Sequence, residues 1–138
     1  MLGVLQASLL TPLVSPRVPL HPCHQAAAGC PTLEWIEIEG GSFMMGGVQL
    51  NVHQVNVPTF LLMKTEVTVG MYRTCVNDGV CSVPADPYGM GFMNWTDAIG
   101  DKEDHPVNNI NWDQSMEFAA WVGSRLPTEA EWQYAARS

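Results

Sequence analysis

The first regular pattern of hydrophobic and polar residues lies in the second quarter of the chain. Residues 36–39 alternate between isoleucine and glutamate, and this period of two predicts a half-buried β-strand. Gly40-Gly41 can adopt the positive φ angles of a tight turn, so we expect a hairpin over residues 33–45. Two more extended segments are predicted at 53–57 and 59–63. The pattern therefore indicates several short strands joined by turns.

Three later segments change to the helical period, and each begins with residues that cap a helix. Caps matter because the first backbone N–H groups of a helix have no partner within it. The first predicted helix covers 69–77, with Thr68 as its N-cap and an end at Asp78-Gly79. The second covers 112–123 and is capped by Asn111 and Gln114. The third begins at a capping box of Thr128 and Glu131.

Large aromatic residues are concentrated on the second and third of these helices. The five are Trp112, Phe118, Trp121, Trp132 and Tyr134. Aromatics at helical spacing are more typical of a core than of a ligand platform, so we expect them to be buried. Met116 is expected to share one face of its helix with Ala119 or Ala120 and Gly123. Arg125 lies between the two helices and is expected to pair with Glu129 or Glu131.

The chain divides into an N-terminal extension and one domain. Residues 1–30 begin with an apolar run that no Lys or Arg precedes, and four prolines follow. We interpret them as a disordered or export-related extension, with a lipid-anchor site at Cys30 as the alternative. Residues 31–138 combine short strands, two to three helices and long loops, which predicts an α+β domain.

Composition and charge narrow the class of function. A hydrophobic content of 46% with five tryptophans is enough for one core in 138 residues. The net charge of −8 and the lack of a Lys/Arg cluster argue against a nucleic-acid partner. No run of residues has the apolar length that a transmembrane helix needs. The sequence does not decide the cellular location of the protein, and an extracytoplasmic location is preferred.

Four motifs occur in the order in which one known family has them. They are EGGSFMMG at 39–46, KTEVT at 64–68, HPVNNINWD at 105–113 and LPTEAEW at 126–132. Tyr72, Phe118 and Trp121 lie between them in matching order. The chain resembles the sulfatase-modifying-factor family, whose founding activity is that of the formylglycine-generating enzyme. The resemblance covers about residues 33–138.

The resemblance implies a C-type-lectin-like fold and an enzyme that oxidises a sulfatase cysteine to formylglycine with oxygen and copper. The family's catalytic cysteine pair and its calcium sites lie downstream of the LPTEAEW run. We therefore expect the N-terminal portion of such a domain, a scaffold that is inactive by itself. Copper and calcium are expected only in the full-length domain, whose remaining strands would lie beside the 33–45 hairpin. The alternative is a non-catalytic module of the same fold that binds a ligand or a protein.

Cys75 and Cys81 are predicted to have a structural role. They flank the Asp78-Gly79 turn, which can bring them together in a short disulfide. Reduced thiols and metal ligands are the alternatives. Neither cysteine matches the family's catalytic pair in position or in neighbouring residues.

Two further clusters contain side chains that bind metals. The first is an acidic loop with Asp97, Asp101, Glu103 and Asp104. Carboxylates of this kind bind calcium, but the spacing does not fit an EF-hand loop, and acidic stretches in loops are usually just solvated. The second contains His21, Cys23, His24 and Cys30. Its spacing fits no closed zinc pattern. The sequence thus assigns no catalytic, cofactor-binding or metal-binding residue.

Overall fold

The structure, a computed structural model, describes residues 23, 29–47, 51–85, 91–96 and 100–137. It is a small α+β arrangement of short antiparallel strands and three helices. The elements are β1 (Trp35–Ile38), β2 (Gly41–Met45), β3 (His53–Val57), β4 (Phe60–Met63), α1 (Val69–Asn77), α2 (Trp112–Trp121) and α3 (Glu129–Ala135). The expected extension over residues 1–30 lies outside the described residues except for Cys23, Gly29 and Cys30.

The predicted hairpin with a turn at Gly40-Gly41 is wrong. β1 pairs with β4 and β2 pairs with β3, both antiparallel, so β1 and β2 run on in the same direction. The two ladders keep one register, because Ile38 lies opposite Phe60 and Gly41, three residues further along, lies opposite Val57. The four strands therefore form one long two-stranded ribbon that is interrupted in the middle.

The interruption has a local cause on each strand. A Cβ at Gly40 would lie 2.5 Å from the backbone nitrogen of Thr59 and 2.6 Å from the carbonyl oxygen of Val57, so only glycine fits there. The backbone N–H of Gly40 donates to Thr59 Oγ1 at 3.0 Å instead of to a ladder carbonyl. Pro58 on the opposite strand has no N–H to donate. Gly40 thus serves a close strand approach and not a turn.

All three helices begin at the residues that the capping pattern predicts. Thr68 accepts from the Met71 N–H, and both Asn111 with Gln114 and Thr128 with Glu131 form reciprocal capping boxes. α1 ends at its Asp78 cap as predicted. α2 ends at Trp121 and not at residue 123, because Gly123 takes a φ of 73°. A left-handed glycine in this position closes a helix.

The core lies where α1 meets α2. Its buried residues are Cys23, Tyr72, Cys75, Cys81, Phe118 and Trp121. Tyr72 and Phe118 stack with ring centroids 5.9 Å apart, and Phe118 contacts Trp121 at 5.6 Å. These aromatic contacts hold the two helices together.

The prediction that all five aromatics are buried is wrong for two of them. Trp112 is 67% exposed and Trp132 is 63% exposed, and Met116 is also exposed at 37%. The stripe of α2 that packs on α1 runs through Phe118 and Trp121, which places Met116 on another side of the helix. Periodicity defines a helical stripe but not the partner element that covers it.

Candidate functional site

A large open groove separates the β1–β4 half of the ribbon from α2 and α3. Its volume is about 1040 Å³, and its apolar lining includes Trp35, Leu61, Phe118, Val122, Leu126 and Trp132. Leu61 is 61% exposed, Trp132 63% and Trp35 39%, so the apolar side chains on the rim face solvent. Concave apolar surfaces of this kind are typical of binding sites.

An ion pair anchors the segment between α2 and α3 at one side of this groove. The guanidinium of Arg125 donates to both carboxylate oxygens of Glu131, at 2.7 and 2.6 Å. The backbone N–H of Thr128 donates to the same carboxylate at 2.8 Å. The predicted partner of Arg125 is confirmed as Glu131, whereas Glu129 accepts from Gln133.

Glu131 is an ionised carboxylate with a structural role. Its side chain is almost fully buried at 6% exposure. The hydrogen bonds from Arg125, with those from Thr128, lower its pKa to about 2, although burial alone would raise it. A carboxylate that stays ionised and accepts three or more hydrogen bonds positions its neighbours and does not exchange protons near neutral pH. Arg125 and Glu131 therefore orient the groove wall.

Tyr72 lines the floor of the groove and is held protonated. It is fully buried, and its hydroxyl donates to the Ser82 carbonyl at 3.1 Å. Burial, together with the negative charge of Glu117, raises the pKa of Tyr72 to about 12. The amide of Gln114 donates to the same carbonyl at 3.4 Å. The site thus contains a neutral phenol that fixes the turn after α1.

The Cys75–Cys81 disulfide is present, as the spacing predicts. Their Cα atoms are 5.3 Å apart, and both residues are buried beside Tyr72. A second disulfide joins Cys23 to Cys30, whose Cα atoms are 5.4 Å apart. The sequence suggests these two as zinc ligands and Cys30 also as a lipid-anchor site, and the disulfide between them is not predicted. An even cysteine count with two short spacings is the signal that could have revealed it.

The remaining candidate ligands have other partners or lie outside the described residues. Glu103 accepts from Arg73 Nε at 2.9 Å and from the Gly100 N–H at 3.2 Å, and Arg73 also stacks on Trp95 at 4.4 Å. Asp97, His21 and His24 are not described. Across the described ranges, no three His, Cys, Asp or Glu side chains group as a metal site would.

The donor set in this part of the protein does not fit copper. The chain has four cysteines, and all four are joined in disulfides. Copper in proteins is bound by soft thiolate or imidazole ligands. The cysteines supply no thiolate, and no histidine in the described ranges belongs to a group of three potential metal ligands. We derive no chemical step through copper from these residues.

A search for membrane spans gives no candidate among the helices that the structure describes, since each is too short and too polar. The longest, α2, has ten residues.

Comparison with known proteins gives several relatives. A formylglycine-generating enzyme from Mycobacterium tuberculosis is 26% identical over 153 aligned positions, which cover 75% of this chain and 51% of that enzyme. One from Thermomonospora curvata is 50% identical over 40 residues, 29% of this chain and 13% of the enzyme. A hercynine oxygenase from Mycolicibacterium smegmatis is 26% identical over 90% of this chain and 35% of the relative.

The chain thus spans about half or less of the length of these relatives. Residues 23–138 match the family model of the sulfatase-modifying factor enzyme 1-like domain. This range contains all the strands and helices described above. On that match, the chain belongs to the sulfatase-modifying factor enzyme 1-like domain family.

Proposed function

We propose that this chain is the N-terminal portion of a formylglycine-generating-type protein, which oxidises a cysteine of a sulfatase to formylglycine. In this proposal the described residues are scaffold, and the catalytic cysteines belong to another part of the protein. The observation that carries it is the family match over residues 23–138 in a chain whose four cysteines are all in disulfides.

The contacts around the groove support a scaffold role. Arg125 and Glu131 fix the turn into α3, and Gln114 with Tyr72 fixes the turn after α1. These interactions stabilise backbone positions. A C-type-lectin-like fold for the complete domain agrees with the short antiparallel strands and three helices. Copper and calcium would then bind outside the described residues.

Two disulfides in one small domain support an extracytoplasmic location. Disulfides persist in oxidising compartments and are rare in the reducing cytosol. Both bonds lie in or beside the core. Each joins two cysteines that are only six or seven residues apart in the sequence.

Activity of the purified chain tests the proposal. The chain is incubated with copper, oxygen and a cysteine peptide from a sulfatase, and formylglycine is measured by mass spectrometry. We expect no turnover above a sample without protein, while the M. tuberculosis enzyme serves as the positive control. Turnover that disappears in a Cys75→Ser, Cys81→Ser variant would refute the scaffold role and place the chemistry at that pair.

The open groove supports a second function, a non-catalytic module that binds a protein or another ligand. Exposed Trp35 and Trp132 give such a groove the aromatic anchors that binding sites use, and Leu61 adds an exposed aliphatic side chain. Binding of the sulfatase peptide is measured by tryptophan fluorescence, in wild type and in Leu61→Asp. The binding module is favoured if the peptide binds saturably, Leu61→Asp weakens that binding, and the protein forms no formylglycine. Failure of every peptide to bind argues against it.

A further inference from the structure

We propose that the outer edge of β4 accepts a third strand, which is an extended segment of a partner polypeptide with apolar side chains and basic ends. In binding of this kind, backbone hydrogen bonds provide the affinity and contacts of alternate side chains provide the specificity. The proposal deepens the second function proposed above, because it rests on the groove being a binding site. It does not depend on the scaffold role.

The hydrogen bonds of the ribbon identify the backbone groups of β4 that are open. The Lys64 N–H donates to the Glu34 carbonyl at 2.9 Å, which makes these two residues a hydrogen-bonded pair of the antiparallel ladder. Such pairs alternate along a strand, so Leu62 directs its N–H and C=O towards β1, whereas Leu61 and Met63 direct theirs away from it. Among the described strands, β4 pairs only with β1. The outward groups of Leu61 and Met63 therefore have no strand partner there.

This open edge of β4 faces the groove. All residues from 60 to 67 line it, as expected when a groove follows the edge of a strand, whereas only alternate residues would line a groove across one face. The helical wall contributes Val122 and Trp132. Beyond β4, the Val67 carbonyl accepts from the Val107 N–H at 2.9 Å. An extended segment thus already pairs with the chain just after β4 and leaves β4 itself open.

β4 lacks the charges, prolines and bulges that protect exposed strand edges from other chains. Its sequence is Phe-Leu-Leu-Met, and its register with β1 is regular throughout. β1, on the other side of the same ladder, contains Glu37 and is flanked by Glu34 and Glu39. Both strands have four residues, so length does not distinguish them. The ribbon therefore has one charged edge and one apolar edge, and the apolar edge lies at the groove.

The charges at the groove favour a basic segment. The charged side chains of its lining are Lys64, Glu66, Arg125 and Glu131. Lys64 forms an ion pair with Glu34 at 2.7 Å, and Arg125 forms one with Glu131 at 2.6 Å. Glu66 is exposed and has no ion-pair partner among the described residues. Because the whole chain also has a net charge of −8, a segment with basic ends is attracted to this site.

A single strand fits this edge better than a second copy of the chain. The β4 strand of a second copy has its own α2 and α3 at the same edge. Two copies paired edge to edge would therefore need two helical walls in the space of one groove. Each copy would also bring a net charge of −8, which disfavours the pairing.

The first measurement is backbone amide hydrogen exchange of the 138-residue chain, followed by NMR with and without the peptide Lys-Val-Thr-Val-Thr-Val-Lys. We expect saturable binding and about tenfold or slower exchange of the Leu61 and Met63 amides, with Glu37 on the other edge unchanged. Binding without protection of Leu61 and Met63 overturns strand addition and leaves an apolar binding site. No binding of this peptide also overturns the proposal, and the binding module then survives only if the sulfatase peptide binds.

Two N-methylated forms of the peptide separate backbone pairing from side-chain contacts. One form is methylated on the valine nitrogens and the other on the threonine nitrogens, so both keep every side chain. Successive N–H groups of a strand point to opposite edges, and only one edge can meet β4. We expect one form to bind about tenfold more weakly and the other to bind within about threefold of the parent peptide. Equal affinities of the two forms overturn the proposal.

A pair of proline variants tests the edge from the side of the protein. Leu61→Pro removes an N–H that points into the groove, and Glu37→Pro removes the outward N–H of the residue directly opposite. Neither N–H belongs to the β1–β4 ladder, and thermal unfolding checks that both variants fold. We expect Leu61→Pro to bind the peptide about tenfold more weakly than Leu61→Ala, which keeps the N–H, and Glu37→Pro to bind like the wild type. Equal binding by Leu61→Pro and Leu61→Ala refutes strand addition, and the N-methylated peptides decide the question if a proline variant does not fold.

Discussion

At the scale of single residues, several buried polar groups have structural partners, whereas the buried indole N–H of Trp95 has no hydrogen-bond partner in the described part of the chain. Glu131 accepts from Arg125 and Thr128, Tyr72 donates to a backbone carbonyl, and Trp121 Nε1 donates to Asp78 at 3.2 Å. Each interaction joins segments that are distant in sequence or fixes the start of a helix. Buried polar groups that are satisfied in this way specify a unique arrangement, and removal of one partner is costly.

The depressed pKa of Glu131 predicts a loss of stability in acid. Its pKa falls from 4.5 to about 2 on folding, so the stabilisation is complete above pH 4.5 and is lost as the pH falls towards 2. Thermal unfolding of wild type and Glu131→Gln between neutral pH and pH 2 measures it. We expect the variant to be less stable at neutral pH and to lose less stability in acid.

Glu129→Gln is the matched control for that experiment, because Glu129 lies two residues away on the same helix and is exposed. The thermal stability of Glu129→Gln should fall with decreasing pH in the same way as that of the wild type. If Glu131→Gln and wild type show parallel curves down to pH 2, the Arg125–Glu131 pair does not contribute as described.

The raised pKa of Tyr72 predicts a late tyrosine ionisation. An ordinary tyrosine ionises near pH 10, and burial raises this value to about 12 for Tyr72. Its stabilisation is therefore present below pH 10 and is lost as the pH rises towards 12. Ultraviolet absorbance of tyrosinate should show a late component that is missing in Tyr72→Phe. A single ionisation near pH 10 in folded wild type would contradict the buried hydrogen bond to Ser82.

At the scale of elements, the helices followed from the sequence and the strand pairing did not. Capping residues act within one turn, so Thr68, Asn111 and Thr128 marked the three helix starts correctly. Pairing joins residues far apart in sequence, and Gly40-Gly41 was misread as a turn for that reason. The contact that decides its role comes from residues 57–59 on the other strand.

Gly40→Ala tests this reading of the ribbon. The added Cβ would lie 2.5 Å from the backbone nitrogen of Thr59, and backbone cannot move aside as a flexible side chain can. We expect a loss of about 1–3 kcal/mol in the free energy of unfolding, the usual cost of overpacking. Chemical denaturation measures it, with Glu39→Ala at the exposed neighbouring position as the control. A Gly40→Ala variant as stable as that control would mean that the strands do not approach so closely.

At the scale of the whole molecule, large apolar side chains are exposed at several places in the described ranges, and the groove and α2 are two of them. The rim of the groove exposes Leu61 and Trp132, and the outer side of α2 exposes Trp112 and Met116. The β2–β3 half of the ribbon packs against α3, whereas the β1–β4 half has no comparable helix contact among the described elements. An isolated two-stranded ribbon is only marginally stable in water, so this half depends on what covers it.

The exposed groove predicts dye binding and self-association of the chain. Exposed apolar side chains that lie close together promote contacts between molecules. Leu61→Lys places a charge on the rim, and we expect it to lower dye binding and to shift size-exclusion elution towards the monomer. Val83→Lys is the control, because Val83 is 54% exposed but does not line the groove. If both variants behave alike, the groove is not the surface that associates.

The sequence by itself determined the local features of this protein. It specified the helix starts, the presence of short strands, the Cys75–Cys81 disulfide and the family, because each depends on residues that are near neighbours or on motif order. For Arg125 the sequence predicts Glu129 or Glu131 as the partner, and Glu131, six positions away, is the one it binds.

Only the tertiary structure decided the features that depend on distant partners. It placed β1 against β4, joined Cys23 to Cys30 in the core and left Trp112 and Trp132 exposed. Hydrophobic periodicity shows which side of an element is apolar, but burial requires a second element against it. The groove is made by β4, α2 and α3 together, and its shape therefore follows from packing that no single segment encodes.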